Sequence, residues 1–221
     1  MKQGEIVIFT GPSLNAHNAA TLLDATYMPP IKRGDLKPLC VSKPEAVAIV
    51  DGEFYQSLAI SPKEVLALLE AGVAVYGSSS MGALRAVELH PYGMVGVGIV
   101  FRLFRRGILD ADDEVALAYE RDTQRPVSEP LVNTRFALHA ASQAGILAPA
   151  AAREIVAGIK ATYFPERTAE LTLRFTREVA GDEAARKLRE FLLTNPTNVK
   201  ERDARLLLRR IKREVRDPHT R

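Results

Sequence analysis

What this 221-residue sequence lacks already limits what the protein can be. Cys40 is the only cysteine, so one chain can form neither an internal disulfide nor a zinc site built on several thiolates. No stretch approaches the roughly 18 uninterrupted apolar residues that a membrane span requires. The first residues lead directly into the apolar run 6–9, without the longer apolar core of a secretory signal. We therefore expect a cytoplasmic protein that makes no membrane contact.

Composition is that of an ordinary globular protein, with 47% hydrophobic and 26% charged residues and a net charge of only +3. The charge is unevenly placed, because residues 1–150 hold 13 Lys/Arg against 16 Asp/Glu, whereas residues 151–221 hold 17 against 11. The C-terminal part therefore offers either a solvated helix face or a basic surface for an acidic protein, RNA or phosphate. Aromatic residues are not interleaved there as in single-strand binders, so we expect no nucleic-acid partner.

Strand and helix patterns alternate in the first half of the chain. Strands are predicted at Ile6–Thr10, Ala46–Val50 and Val73–Tyr76, and helices at Leu14–Ala25, from Ser61 onward and at Met81–Leu89. Two prolines keep the segment 27–36 extended. Apolar strands without alternation, separated by helices, indicate an α/β fold with a Rossmann-like parallel sheet covered on both faces. The loops after its strands share one edge, where such sheets bind ligands.

Helical patterns dominate beyond residue 98. They are predicted at Asp113–Glu120, Leu131–Ala144, Pro149–Tyr163, Arg167–Ala180, Asp182–Leu193 and Val199–Arg216. The last of them carries an apolar stripe, which packs on a core or on a partner. We therefore expect an α/β core over residues 1–98, followed by a mostly α-helical extension over residues 99–221 that is basic toward its end.

The run Ser78-Ser79-Ser80-Met81-Gly82 carries a buried strand into a helix, after Gly77. A nucleophile elbow holds a serine hydroxyl in this setting, and Ser80 fits the second half of its Gly-x-Ser-x-Gly pattern. The amides at the helix start would face an anion. Acyl chemistry by a serine and anion binding by hydroxyls and amides both remain open, and so does a simple helix cap.

A serine nucleophile needs a base, and the sequence marks none of the candidates by spacing alone. These candidates are His17, Asp35, Asp51 and Lys63. Asp51 directly follows a strand, whereas Lys63 begins a helix whose start we expect to point away from the ligand edge. The acidic run 110–114 suits a helix start or a magnesium site, although we expect neither a metal nor another cofactor.

Longer stretches of the sequence resemble a known family. They are Gly11-Pro12-Ser13-Leu14, Arg33-Gly34-Asp35-Leu36, Asp51-Gly52-Glu53-Phe54, Gly77 through Leu89, Gly93 through Gly98, Asp112 through Ala116 and Glu129 through Arg135. Over roughly residues 6–140 the chain resembles the TfuA-like family. The run Ser-Ser-Met-Gly-Ala-Leu-Arg-Ala followed by Gly-Met-x-Gly-Val-Gly is long and unusual, which makes the resemblance specific.

The resemblance implies a partner role in thioamidation. The partner would be a YcaO-type enzyme, which uses ATP to activate a backbone amide oxygen of a precursor peptide or target protein so that sulfide replaces it. A TfuA-like protein is thought to supply this sulfide by hydrolysing a thiocarboxylated ThiS-like sulfur carrier. The alternative is a non-catalytic adaptor that binds YcaO or the peptide and activates the enzyme allosterically.

The hydrolysis hypothesis assigns roles to residues of the serine run and the neighbouring loops. Ser80, or secondarily Ser79, attacks the thiocarboxylate, and helix-start amides hold the oxyanion. The residues expected to contact the substrate are Gly11, Pro12, Ser13, Arg33, Gly77, Ser78, Met81, Gly82, Arg85 and Glu88. This hypothesis requires the serine corner to be open at the rim of the sheet.

Overall fold

The computed structural model describes residues 5–54, 58–120 and 122–216. The chain divides into two compact units, of which unit 1 comprises residues 1–110 and 200–221 and unit 2 comprises residues 111–199. The last helical segment thus belongs to the same compact unit as the sheet, although the sequence groups it with the extension. A division into domains at residue 98 stays a prediction.

Unit 1 contains a parallel sheet of five strands. They are β1 (Ile6–Phe9), β2 (Thr26–Met28), β3 (Ala46–Ile49), β4 (Ala74–Ser78) and β5 (Val95–Val97), in the order β2-β1-β3-β4-β5. Every residue of β1 and β3 is buried, as expected for central strands whose two faces are both covered. The predicted parallel sheet is confirmed, and its carboxyl ends bring the loops after β1, β3 and β4 to one edge.

Helices follow the strands of unit 1 and make up most of unit 2. They are α1 (Ala16–Ala20), α2 (Lys37–Ser42), α3 (Pro62–Glu70), α4 (Met81–Leu89), α5 (Ile99–Arg105), α6 (Leu131–Gln143), α7 (Pro149–Ala161), α8 (Ala169–Ala180), α9 (Asp182–Thr194) and α10 (Val199–Ile211). The predicted helical C-terminal region is confirmed. Among the described residues, no helix is long and apolar enough to cross a membrane.

The start of α3 follows from its sequence. Ser61 accepts a hydrogen bond from the Glu64 amide, and the Glu64 carboxylate accepts one from the Ser61 amide, which forms a capping box. Pro62 occupies the first turn, where its missing N–H costs nothing. The predicted helix start is therefore confirmed.

The apolar stripe of α10 packs on the core of unit 1. Ala204, Leu207, Leu208 and Ile211 are each at most 1% exposed and lie in one cluster with β1, β3 and Tyr76. This stripe covers part of the sheet, so unit 2, residues 111–199, is inserted in the sequence between α5 and α10 of unit 1. The prediction that the stripe packs on a core, and not on a partner, is therefore confirmed.

Two predicted helices differ from the structure. The helix expected at residues 14–25 is limited to α1, because the chain then becomes extended and β2 pairs with β1. The helix expected at residues 113–120 is only a 3-10 turn over Asp112–Glu114. There Arg167 binds Asp113 and Arg135 binds Glu114 in ion pairs that hold the two carboxylates in unit 2.

Candidate functional site

Two glycines let α4 cross very close to the ends of β3 and β4. A Cβ atom on Gly82 would lie 1.7 Å from the Ile49 carbonyl oxygen, and one on Gly77 would lie 2.1 Å from the Gly82 oxygen. The Gly82 amide donates to the Val50 carbonyl at 3.3 Å. Because the obstacles are backbone atoms, only glycine allows the helix start to meet the strands in this way.

The serine run forms a strained turn between β4 and α4. The Ser80 amide donates to the Ser78 carbonyl at 2.7 Å, which closes a three-residue γ-turn centred on Ser79. The φ angle of Ser79 is 64°, a value that belongs to the rare and strained form of this turn. In an elbow, the nucleophile sits on such a sharp strand-to-helix turn. The strained position is therefore Ser79, and not Ser80 as the sequence pattern favours.

The serine corner is closed to solvent. Ser78 and Ser79 are 0% exposed and Ser80 is 2% exposed. The Ser78 hydroxyl donates to the Val97 carbonyl at 2.9 Å, and the Ser79 hydroxyl donates to the Lys200 carbonyl at 2.8 Å. The expectation of an open corner at the rim of the sheet is wrong for this conformation.

The amides expected to hold an oxyanion are also engaged. The Ser80 amide closes the γ-turn, the Gly82 amide binds the Val50 carbonyl, and the Ala83 amide donates to the Ser80 carbonyl at 2.9 Å. Ser80 is the N-cap residue of α4, although its side chain makes no capping hydrogen bond. The turn must rearrange locally before these amides can bind an anion.

Asp51 organises the loop after β1. One of its carboxylate oxygens accepts from the Gly11 amide at 2.9 Å and from the Ser13 amide at 3.0 Å, and the other accepts from the Ser13 hydroxyl at 2.5 Å. Asp51 is buried, and Val50 before it binds the start of α4. Asp51 therefore joins the loops at the carboxyl edge, and its oxygens serve the Gly11-Pro12-Ser13 loop in this conformation.

The other candidate bases make no hydrogen bond to Ser79 within the described residues. His17 and Lys63 are exposed, and Asp35 accepts a hydrogen bond from the Lys32 amide within its own turn. Of the four candidate bases, Asp51 is the one whose side chain binds the loop after β1 at the carboxyl edge of the sheet.

The start of α3 lies at the carboxyl edge, contrary to our expectation for Lys63. The Glu64 carboxylate accepts from the Gly34 amide at 2.6 Å, and the nearby Ile31 amide donates to the Asp51 carbonyl at 2.9 Å. A helix that follows a strand in a parallel sheet begins where that strand ends, which is the physical reason for the correction.

The remaining substrate-contact candidates divide by exposure. Arg33 and Glu88 are exposed and Pro12 is half-buried, whereas Met81 is buried beside Gly52. Arg85 is only 8% exposed and forms an ion pair with Glu88. Its Nε atom is buried and has no hydrogen-bond partner within the described residues.

Two residues of α10 that sequence reasoning missed complete the site in unit 1. Lys200 supplies the carbonyl that binds Ser79, and the buried Asp203 carboxylate accepts from the Val100 amide at 2.8 Å at the start of α5. Burial raises the pKa of Asp203. Both residues continue the apolar stripe of α10 at helical spacing, so charged residues within an apolar stripe were the available signal.

Comparison with known proteins agrees with the resemblance seen in the sequence. A model of the family described as TfuA-like protein matches residues 51–168 of the 221. The chain belongs to the TfuA-like family. This family is associated with YcaO-dependent thioamidation. No curated protein sequence matches the chain.

The matched part of this TfuA-like protein contains the serine turn and Asp51, together with Arg85 on α4. The loop after β1, which Asp51 holds through Gly11 and Ser13, lies before the matched residues. The family match therefore covers the serine side of the site, and the hydrogen bonds of Asp51 connect it to the preceding loop.

Glu64 of the TfuA-like chain gives a pH-dependent prediction. Burial opposes its ionisation, yet hydrogen bonds from Ser61 and the Gly34 amide, with the nearby Arg33 charge, hold the pKa of Glu64 below its ordinary value of 4.5. At pH values between the lowered pKa of the folded chain and the ordinary pKa of the unfolded chain, the unfolded chain binds more protons. The free energy of unfolding therefore rises with pH in this range. This contribution is present above pH 4.5 and is lost as pH falls through the lowered pKa.

Glu64→Gln is therefore expected to lower the free energy of unfolding by about 1 kcal/mol at neutral pH, through the weakened capping box. The difference from the wild type should shrink as pH falls below 4.5. Urea unfolding at several pH values measures this difference in the free energy of unfolding. Glu70→Gln, at the exposed end of the same helix, is the control. A wild-type advantage that grows in acid would contradict the lowered pKa.

Proposed function

We propose that this TfuA-like protein supplies sulfide to a YcaO enzyme by hydrolysing a thiocarboxylated ThiS-like sulfur carrier, with Ser79 as the nucleophile. The observation that carries the proposal is the γ-turn at Ser79, with a φ angle of 64°. Strain of this kind costs about 1–3 kcal/mol and is concentrated at active sites and switch regions. A turn that only connected β4 to α4 would not need a serine in this conformation.

The reaction balances without a metal or redox partner. The Ser79 oxygen attacks the thiocarboxylate carbon, a C–O bond forms, and the C–S bond breaks. The thiocarboxylate sulfur accepts the hydroxyl proton and leaves as hydrosulfide, so the substrate itself serves as the base for this step. Water then cleaves the carrier ester, which restores the Ser79 hydroxyl and releases the carrier as its carboxylate with one proton. Asp51 acts as a positioning residue that holds the neighbouring loop.

The buried Ser79 becomes accessible only if the structure opens locally. The energetic costs of two possible openings indicate which part of α10 moves. Undocking all of α10 would expose Leu207, Leu208 and Ile211, at about 1.5–3 kcal/mol for each side chain. Unwinding only the first turn breaks the hydrogen bond from Ser79 to Lys200, which contributes about 0.5–1.5 kcal/mol, and exposes the buried Val199 and Lys200, but it leaves these three apolar side chains in place. The first turn of α10 is therefore the access route, and the apolar stripe stays in place.

The closed serine corner favours a second candidate function. A non-catalytic adaptor would keep its serines buried and would use the turn only to shape the edge of the sheet. Such a protein would bind YcaO or its peptide substrate and activate the enzyme without touching the sulfur carrier.

The test is incubation of the isolated chain with a thiocarboxylated ThiS-like carrier. Hydrolysis predicts sulfide release in proportion to protein concentration, with an equal amount of carrier converted to the carboxylate by intact mass. The adaptor predicts no release by the chain alone, together with faster thioamidation by YcaO when free sulfide is supplied. That second pattern would overturn the hydrolysis proposal.

A further inference from the structure

An open groove runs along the edge of the sheet in unit 1. It has a volume of about 570 Å³, and its floor is formed by the end of β5 and the residue after it, Gly96-Val97-Gly98. Val95 and Val97 pack toward the core cluster that contains Ile211 of α10, whereas a Cβ atom on Gly96 would point at the Phe101 ring of α5. The two helices therefore form opposite walls of the groove.

Arginines line both walls of this groove. They are Arg102 and Arg105 from α5, and Arg209, Arg210 and Arg213 from α10 and the turn after it. Arg210 is paired with Glu214. In the described ranges, no carboxylate lies within ion-pair distance of the other four. Glu214 and the buried Asp203, whose carboxylate interacts with the Arg102 charge, offset only part of the charge of the five arginines. The groove therefore has an excess of positive charge, which suits an anionic occupant.

The floor of the groove is an edge strand. β5 pairs with β4 on one side, and no strand of the described sheet lies on its other side. Such an edge presents backbone N–H and C=O groups that an extended peptide can pair with. Side chains of a paired peptide alternate between the two faces, so its acidic residues would meet α5 and α10 in turn.

The groove is less suited to a nucleic acid. Its one aromatic residue, Phe101, is buried and is already covered by the Arg105 guanidinium, 6.0 Å from the ring centroid. Among the described residues, bases of a single strand would find no exposed aromatic surface in the groove on which to stack. Arginine side chains and an open strand edge together favour a peptide with carboxylates.

We propose that this arginine groove binds an extended acidic peptide segment of a partner protein, which adds as a strand to β5. The three residues of β5 span about 10 Å, which allows pairing with a short segment. The arginines of α5 and α10 bind carboxylates on its two faces. Peptide binding in the groove does not require the chemistry at Ser79, so a negative result in the binding test would leave the hydrolysis proposal unaffected.

The test measures binding of a fluorescein-labelled Glu-Thr-Glu-Glu-Thr-Glu peptide to the full chain by fluorescence anisotropy. Arg209→Glu with Arg213→Glu is expected to weaken binding at least about tenfold. Arg174→Glu with Arg177→Glu on α8 changes the net charge equally outside the groove and should leave binding within about twofold. Thermal unfolding checks that both double variants remain folded.

Two further probes separate the groove chemistry from general charge attraction. A peptide with methylated backbone nitrogens cannot donate hydrogen bonds to the β5 carbonyls and is expected to bind at least about tenfold more weakly. Equal binding of this peptide, or equal losses in the groove and control variants, would overturn the proposal. Tighter binding of an oligouridylate RNA than of the peptide, with the same dependence on Arg209 and Arg213, would assign the groove to nucleic acid instead.

Discussion

Gly82→Ala is expected to lower the free energy of unfolding by more than about 4 kcal/mol, a loss found only where a substitution meets a specific obstacle. The added methyl group would lie 1.7 Å from the Ile49 carbonyl oxygen. That oxygen belongs to β3 in the middle of the sheet and has no flexible end that can move aside. The clash is relieved only if α4 shifts away from the strands. That shift also breaks the hydrogen bond from the Gly82 amide to the Val50 carbonyl.

Gly72→Ala is the matched control for this variant. Gly72 follows α3 with a φ angle of 85°, and a Cβ atom there would meet nothing within 4 Å. Its substitution costs only the left-handed backbone conformation, about 1–2 kcal/mol. Guanidinium unfolding of both variants gives the comparison, with soluble yield and thermal midpoint as readouts if Gly82→Ala does not fold. Equal losses in the two variants would contradict the close crossing of α4.

Ser79→Gly is expected to reduce sulfide release from the thiocarboxylated carrier by about a thousandfold or more, as for loss of a nucleophile. Glycine adopts a positive φ readily, so the variant removes the hydroxyl while relieving the strain of the turn. The loss of the hydrogen bond to Lys200 offsets part of that relief. The protein should therefore remain folded with nearly unchanged stability.

Two controls make the Ser79 result specific. Lys43→Gly relieves another positive φ, of 47°, at the end of α2, and it should leave sulfide release unchanged. Ser80→Ala removes the serine that the sequence pattern favours and should retain most of the activity. Full activity in Ser79→Gly, or a large loss confined to Ser80→Ala, would contradict the assignment of Ser79.

Local sequence patterns were sufficient to predict much of the fold. Apolar strands between helical segments predicted the parallel sheet, and the run from Ser61 to Glu64 predicted the start of α3. The position of Asp51 after a strand also placed it correctly at the edge shared by the loops. These features depend on residues close together in the chain, so their physical causes are visible in the sequence.

The state of the serine corner depends on contacts that local patterns do not contain. The Lys200 carbonyl that binds Ser79 lies 121 residues away in the sequence. The strand β5 has only three residues, one of them glycine, so it lacks the apolar run that identifies β1 and β3. The positive φ of Ser79 arises from the turn itself, and serine gives no indication of it as glycine would.

The most direct measurement is a rapid acid quench of this TfuA-like protein mixed with an equal amount of thiocarboxylated carrier, followed by intact mass and peptide mapping. If Ser79 is the nucleophile, a transient ester of the carrier forms on the peptide that contains Ser79, and it is absent from Ser79→Gly. Sulfide released at the full rate without any adduct, and unchanged in Ser79→Gly, would show that the serine turn is structural and that sulfur is released elsewhere.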